Sequence, residues 1–134
     1  MKKPRYVLDS YALLSYLRGE STADQVEALL GEAARGKATL HLSTISMGEV
    51  AYIVERRHGV VACQEALDRL ATFPIQLQDA TLDRVLAAAQ WKARHAISYA
   101  DAFAMALARE LEASVVTGDP EFAHVESLVE VLWL

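Results

Sequence analysis

The chain has 134 residues, 53% of them hydrophobic and 23% charged, with only three prolines. That composition excludes a disordered chain, and the length leaves no room for a second full domain, so residues 1–134 are expected to fold as one domain. Thirteen Lys and Arg against eighteen Asp and Glu give a net charge of −5, which excludes a generic basic coat of the kind that binds nucleic acid.

In chain order, a short β-rich run at Arg5–Leu8 comes first, preceded by Lys2 and Lys3, which together with Arg5 read as a solubilising terminus. The hydrophobic stretch from Tyr6 to Leu17 is interrupted by Asp9, lacks a small-residue cleavage site and falls short of the roughly 18 apolar residues of a membrane span. A cytosolic (cytoplasmic) protein with no membrane segment is therefore expected. Ser21 and Thr22 are placed to cap a helix reaching about Arg35, with Gly36 as its stop. A second strand is predicted over Thr39–Leu42. Cys63, the one cysteine, cannot form an internal disulfide and sits in a helical pattern as a small hydrophobe.

A third strand is predicted over Phe73–Leu77, after which Asp79 is placed to cap a helix from Thr81 past Trp91, with Leu82, Val85, Leu86 and Ala89 on its apolar face. From Ala100 to Leu111 the chain is rich in alanine, a strong helix former small enough to lie close to a sheet. Further strands are predicted at Ser114–Thr117 and Val129–Leu132. Strands alternating with helices imply a parallel sheet covered on both faces, with right-handed crossovers. Wound both ways from a central first strand, it has the order 3-2-1-4-5, and ligands of such sheets bind between strands one and four, just after Leu8 and Val116.

Four acids bear on those positions. Asp9 follows the first strand and by itself reads as the cap of a helix beginning near Ser10. Glu49 stands three residues after Ser46, the spacing of a capping box, yet Ile45 and Ile53 put it on an apolar stripe where a carboxylate needs a cation. Asp101 repeats the pattern after Ser98, among Ile97, Ala104, Met105 and Ala108. Asp119, in Thr-Gly-Asp-Pro-Glu-Phe, is placed to cap a short helix with Pro120 at its first position. Each has a structural explanation, but together two follow the switch-point strands and two project from neighbouring helix starts. Converging carboxylates repel unless a cation neutralises them, and an oxygen-only ligand set without patterned His or Cys suits Mg²⁺ or Mn²⁺ and metal-assisted phosphoryl chemistry.

With its segments Val-Leu-Asp-Ser, Ser-Met-Gly-Glu-Val, Ser-Tyr-Ala-Asp-Ala and Val-Val-Thr-Gly-Asp-Pro-Glu-Phe, this set resembles the PIN-domain family over essentially the whole chain. Length and spacing fit best the VapC-type ribonuclease toxins of type II toxin–antitoxin pairs. The resemblance implies a single PIN domain over residues 1–134, a three-layer α/β/α sandwich, and endonucleolytic hydrolysis of RNA with Mg²⁺ or Mn²⁺. It assigns Asp9, Glu49, Asp101 and Asp119 as the catalytic, metal-holding cluster and Ser10 and Thr117 as hydroxyls supporting it, for which ordinary capping or turn bonds are the alternative. It further implies a homodimer and a cognate antitoxin, whose basic segment reaches the acidic site.

Setting the four acids aside takes the net charge from −5 to −1, on which a local basic edge can still steer RNA. Arg56 and Arg57 with His58 form one such edge and Lys92 and Arg94 with His95 another; the alternative for each is the solvated cationic end of a helix. Trp91 and Tyr99 can stack on bases, though Trp91 also suits the core. His41 and His124 read as structural or surface residues. Other carriers of an Asp after strand one fit less well: a dehalogenase-type phosphatase needs a second Asp where Tyr11 stands, and a receiver needs a Lys after a late strand, where none of Lys2, Lys3, Lys37 and Lys92 is suitably placed. The rival from another class is a non-catalytic PIN-like interaction module.

Overall fold

The computed structural model describes residues 2–134. Five short strands, β1 (Arg5–Leu8), β2 (Thr39–Ser43), β3 (Ile75–Gln78), β4 (Ser114–Thr117) and β5 (Val131–Trp133), form one parallel sheet in the order β3-β2-β1-β4-β5. The central β1 pairs Tyr6 with Leu40 on one side and with Ser114 on the other. Six helices cover the sheet: α1 (Ser10–Leu17), α2 (Ala23–Ala34), α3 (Thr44–His58), α4 (Val60–Leu70), α5 (Leu82–Arg94) and α6 (Tyr99–Leu111). The three-layer architecture and strand order match the expectation, and the chain reverses direction across the sheet between β1 and β4.

The period-two alternation of the strands sorts their side chains into two cores. Val7 and Val115 face a cluster built from α5 and α6 with Phe122, whereas Leu8, Leu40, Leu42 and Val116 face one built from α1 to α4. Leu8, Leu13, Leu40 and Leu42 are fully buried, each worth about 1.5–3 kcal/mol relative to exposure. In α6 every residue from Asp101 to Ala108 is buried, because four of the eight are alanines and the helix lies close to the sheet while packing on α5. An acid near its N-terminus is thereby carried into the interior.

Strands β1 and β4 have the predicted limits, β2, β3 and β5 each run one residue farther than predicted, and two strand starts and one helix cap shift. β3 begins at Ile75 rather than Phe73, since Pro74 has no N–H to give a ladder, and Phe73 packs its ring edge-on to Tyr16 instead. β5 begins at Val131, because the Val129 N–H is taken by the Val125 carbonyl at 3.2 Å. Helix α5 is capped by Thr81, whose hydroxyl accepts from the Arg84 N–H at 3.3 Å, and not by Asp79. Thr22 does hold the cap position of α2, but its hydroxyl makes no capping bond, and Gly36 follows that helix at φ 72°. No helix among the described residues is long and apolar enough to cross a membrane.

Helix α6 ends at Glu112, which adopts the left-handed conformation with φ 52° and ψ 49°. A side chain there is crowded against the backbone, an arrangement glycine tolerates freely. Glu112→Gly is expected to raise the melting temperature by about 2–4 °C, the equivalent of about 0.5–1 kcal/mol, read from thermal denaturation of the two proteins.

Candidate metal centre

Asp9 leaves the C-terminal end of β1 and caps α1. Its Oδ1 accepts the Ala12 N–H at 2.9 Å and its Oδ2 accepts the Thr117 hydroxyl from the end of β4. The same Thr117 oxygen accepts the Asp119 N–H at 2.9 Å, so one buried hydroxyl joins the two strand ends that flank the switch point. Asp119 Oδ1 in turn accepts the Glu121 N–H at 2.9 Å and caps a 3₁₀ turn over Pro120–His124, as its sequence context predicts. Its carboxylate also meets that of Asp101.

Glu49 is not part of a capping box. Helix α3 starts directly out of β2, and Ser43 is its cap, accepting the Ile45 N–H at 3.1 Å, while Ser46 is buried inside the helix. Glu49 instead stands half-buried in the second turn and accepts a hydrogen bond from the Ser10 hydroxyl, linking α3 to the start of α1. Its charge reaches Asp9.

Asp101 departs from its capping box in a more telling way. Ser98 Oγ does accept the Asp101 N–H at 3.1 Å, which is the first half of the box. The second half would return the Asp101 carboxylate to the Ser98 N–H, but that N–H is taken by Glu121 Oε2 at 2.9 Å. The Asp101 carboxylate is thereby released from its helix. It is 4% exposed, and its Oδ2 is one of two buried side-chain polar atoms without a partner among the described residues, the other being the Thr22 hydroxyl. Asp101, Asp119 and Glu121 each offer an oxygen within 4.8 Å of the others.

Three acceptors facing one another need either a proton or a cation between them. In the metal-free protein burial pushes the Asp101 carboxyl up to about 9, helped by hydrogen bonding to Glu121 and Asp119 and by the charges of Asp119 and Asp9. Glu121 moves the other way, held down by the Ser98 N–H and by its bond to Asp101. The opposite shifts favour a proton held between the two carboxyls. Burial likewise raises Asp9 to about 7, against the bonds from Thr117 and Ala12 that favour its ionised form.

The structure thus gathers Asp9, Asp101 and Asp119 around the switch point, with Glu49 tied in through Ser10, and it adds Glu121, which sequence reasoning passed over. Ser10 and Thr117 are both engaged with acids and not merely with turns. The basic residues are placed differently. Arg56 and Arg57 lie in the last turn of α3, about two turns beyond Glu49, with the Arg56 guanidinium 5.2 Å from the Tyr52 ring centroid. Lys92 donates to the Ile97 carbonyl at 2.8 Å and its charge reaches Glu121, whereas Arg94 is exposed at the end of α5. Trp91 is half-buried against the α5–α6 core and stacks on His95, and Tyr99 is exposed at the start of α6.

Comparison with known proteins adds the fold's relatives. Among solved structures, the chain is similar to VapC20 of Mycobacterium tuberculosis, a sarcin–ricin loop cleaving toxin, at 18% identity and a TM-score of 0.74 over 96% of this chain and 99% of that one. It is similar to VapBC2 of Rickettsia felis, bound there to a DNA fragment from its promoter, at 17% identity and a TM-score of 0.71 over 93% and 96%. FitAcB of Neisseria gonorrhoeae matches at 20% identity and a TM-score of 0.65 over 90% and 93%. No curated protein matches the chain by sequence. The family model of the PIN domain matches residues 6–128, nearly the whole of the chain, and the protein accordingly belongs to the PIN domain family.

Proposed function

We propose that this chain is a metal-dependent endoribonuclease of the VapC type, a single PIN domain over residues 1–134 acting as the toxin of a toxin–antitoxin pair. The observation that carries the reading is Asp101 Oδ2, buried without a donor and facing the carboxylates of Asp119 and Glu121. An all-carboxylate set of this kind fits Mg²⁺ or Mn²⁺, which take hard oxygen ligands, and gives no footing to a soft metal. Asp101, Asp119 and Glu121 would hold the ion, with Asp9 and Glu49 completing the acidic ring. When bound, a divalent cation supplies Lewis-acid stabilisation of charge building on a phosphodiester and acidifies water for hydrolysis.

The chain's own residues do the remaining work. Thr117 fixes the Asp9 and Asp119 arms relative to each other, and Ser10 fixes Glu49 against α1. Glu121 holds the Ser98 N–H and so keeps Asp101 turned from its helix cap, while Asp101 releases its proton to solvent as the ligand set becomes fully ionised. The RNA backbone would be met by Lys92 and Arg94 at the end of α5, with Arg56 and Arg57 farther out. The likeness to a toxin–antitoxin complex from Klebsiella pneumoniae, at 17% identity and a TM-score of 0.68, supports an antitoxin partner, and a homodimer is proposed with it. An antitoxin arginine entering the centre can replace the cation's charge, so antitoxin and Mn²⁺ are expected to compete in calorimetry; affinity unaltered by saturating Mn²⁺ would move the inhibitory contact elsewhere.

The deciding test is RNA cleavage with Mg²⁺ or Mn²⁺, with and without chelator, beside Asp9→Asn and Asp119→Asn. Both variants are expected to fall below about 1% of wild-type cleavage with the fold intact, since at constant shape Asp119→Asn loses a charged ligand and Asp9→Asn a carboxylate of the acidic ring. A silent interaction module would show neither cleavage nor a metal-dependent rise in melting temperature.

A second expectation concerns pH. Asp101 and Asp9 have folded-state pKa values of about 9 and about 7, above the ordinary 3.8, so between pH 4 and 9 the folded chain binds more protons than the unfolded chain. Metal-free stability therefore falls as pH rises through that window and levels off above it. Asp101→Asn mimics the protonated acid, so in chelator its melting temperature should match wild type near pH 5 and exceed it by about 3 °C near pH 9. Saturating Mn²⁺ should reverse the ranking. A variant less stable than wild type at pH 9 in chelator would show that the Asp101 carboxylate makes structural bonds.

A further inference from the structure

Tyr11 stands out beside the acidic centre. It is the second residue of α1, two positions after Asp9, and although a large aromatic it is 40% exposed and belongs to neither core. Its ring rests against Gly118, the residue between Thr117 and Asp119. A Cβ built on Gly118 would lie 2.3 Å from Tyr11 Cε1, 2.8 Å from Cζ and 3.0 Å from the hydroxyl oxygen. Gly118 is not among the glycines with positive φ, which are Gly19, Gly36 and Gly59. Its backbone therefore makes no demand for glycine; the ring occupies the space a Cβ at 118 would need, so any side chain there would displace it.

From this contact, and resting on the nuclease reading above, we propose that Tyr11 is a specificity-determining residue: a fixed stacking platform for one base of single-stranded RNA next to the scissile phosphate. The ring is bracketed by Asp9 and Ser10 in its own segment and by Thr117 and Asp119 in the other, so it sits at the rim of the crevice that would take the phosphate. In a chain of net charge −5 whose centre is a ring of acids, a neutral aromatic face holds a nucleotide without relying on its phosphates. With one side of the ring resting on Gly118 and two χ angles to order, the side-chain freedom lost on binding is small.

The test compares wild type, Tyr11→Phe and Tyr11→Ala on a labelled single-stranded RNA oligonucleotide, measuring binding by anisotropy with Ca²⁺ and kcat with Mn²⁺. Tyr11→Ala is expected to weaken binding about tenfold while kcat stays within about threefold of wild type, and Tyr11→Phe, which keeps the ring, should bind like wild type. Replacing single nucleotides by abasic ones should weaken wild type about tenfold at one position, and Tyr11→Ala should be indifferent at that position. Unchanged binding in Tyr11→Ala, equal losses in Tyr11→Phe, or a fall confined to kcat overturns the proposal while leaving the nuclease reading intact. Wild type that binds RNA but never cuts it overturns the nuclease reading alone, since the abasic comparison still reports on Tyr11; wild type that binds no RNA overturns both.

Discussion

The dominant constraint on this structure is that carboxylates cannot be buried facing one another without something positive between them. At Asp101 the constraint is at its sharpest, because one oxygen has no donor and the carboxylate lies within 4.8 Å of two further acids. In water such groups would separate. Here they are attached to elements whose positions are fixed by other forces: Asp101 by the alanine-rich α6, whose close packing on the sheet leaves no slack, and Asp119 by the exit of β4. The two cores on either face of the sheet thus hold together a site that would repel itself apart.

Capping gives the second layer of that control. Helix termini offer unsatisfied N–H groups, and an acid placed at one is normally consumed by them. Asp9 and Asp119 are each consumed through one oxygen only, by the Ala12 and Glu121 N–H groups respectively. At Ser98 the exchange is different, since a residue 23 positions on supplies the carboxylate that the N–H requires and the Asp101 carboxylate is not drawn back onto its own helix. One cap is therefore satisfied from a distance so that the local acid need not satisfy it. The same economy explains Thr117, whose single hydroxyl donates to Asp9 and accepts from the Asp119 N–H.

What could be read from the sequence follows from how locally each feature is determined. β1 and β4 are buried between two neighbours and two helical layers, so their runs of Val and Leu mark their limits accurately. β3 and β5 are edge strands with one neighbour each, and their limits were moved by Pro74 and by the Val129 to Val125 bond, neither of which shows in hydrophobic pattern. The acids at strand exits were legible because the switch point follows from strand order alone. The Ser46–Glu49 spacing misled, because α3 begins without a loop and Ser43, three residues earlier, is already the cap. Glu121 was illegible for a deeper reason. In Asp-Pro-Glu it reads as the first turn of a short helix, and its importance arises only through Ser98, a contact that no spacing rule anticipates.

The same division explains how the fold persists in relatives that share so few residues with it, as at 17% identity with a TM-score of 0.71. The cores ask only for volume and period, which many combinations of Val, Leu, Ile and Ala supply. The centre asks for carboxylates at strand exits and helix starts, positions where a short acid is already favourable as a cap. A sequence that folds this way thus needs little beyond ordinary capping preference to bring acids to the crevice. What separates these acids from ordinary caps is how little of each the helix ends take: one oxygen each of Asp9 and Asp119 is tied by a backbone N–H, and Asp101 is released from its own helix start, with its Oδ2 left without a partner. The capacity of this chain's acids to take a cation accordingly depends on which hydrogen bonds they are prevented from making.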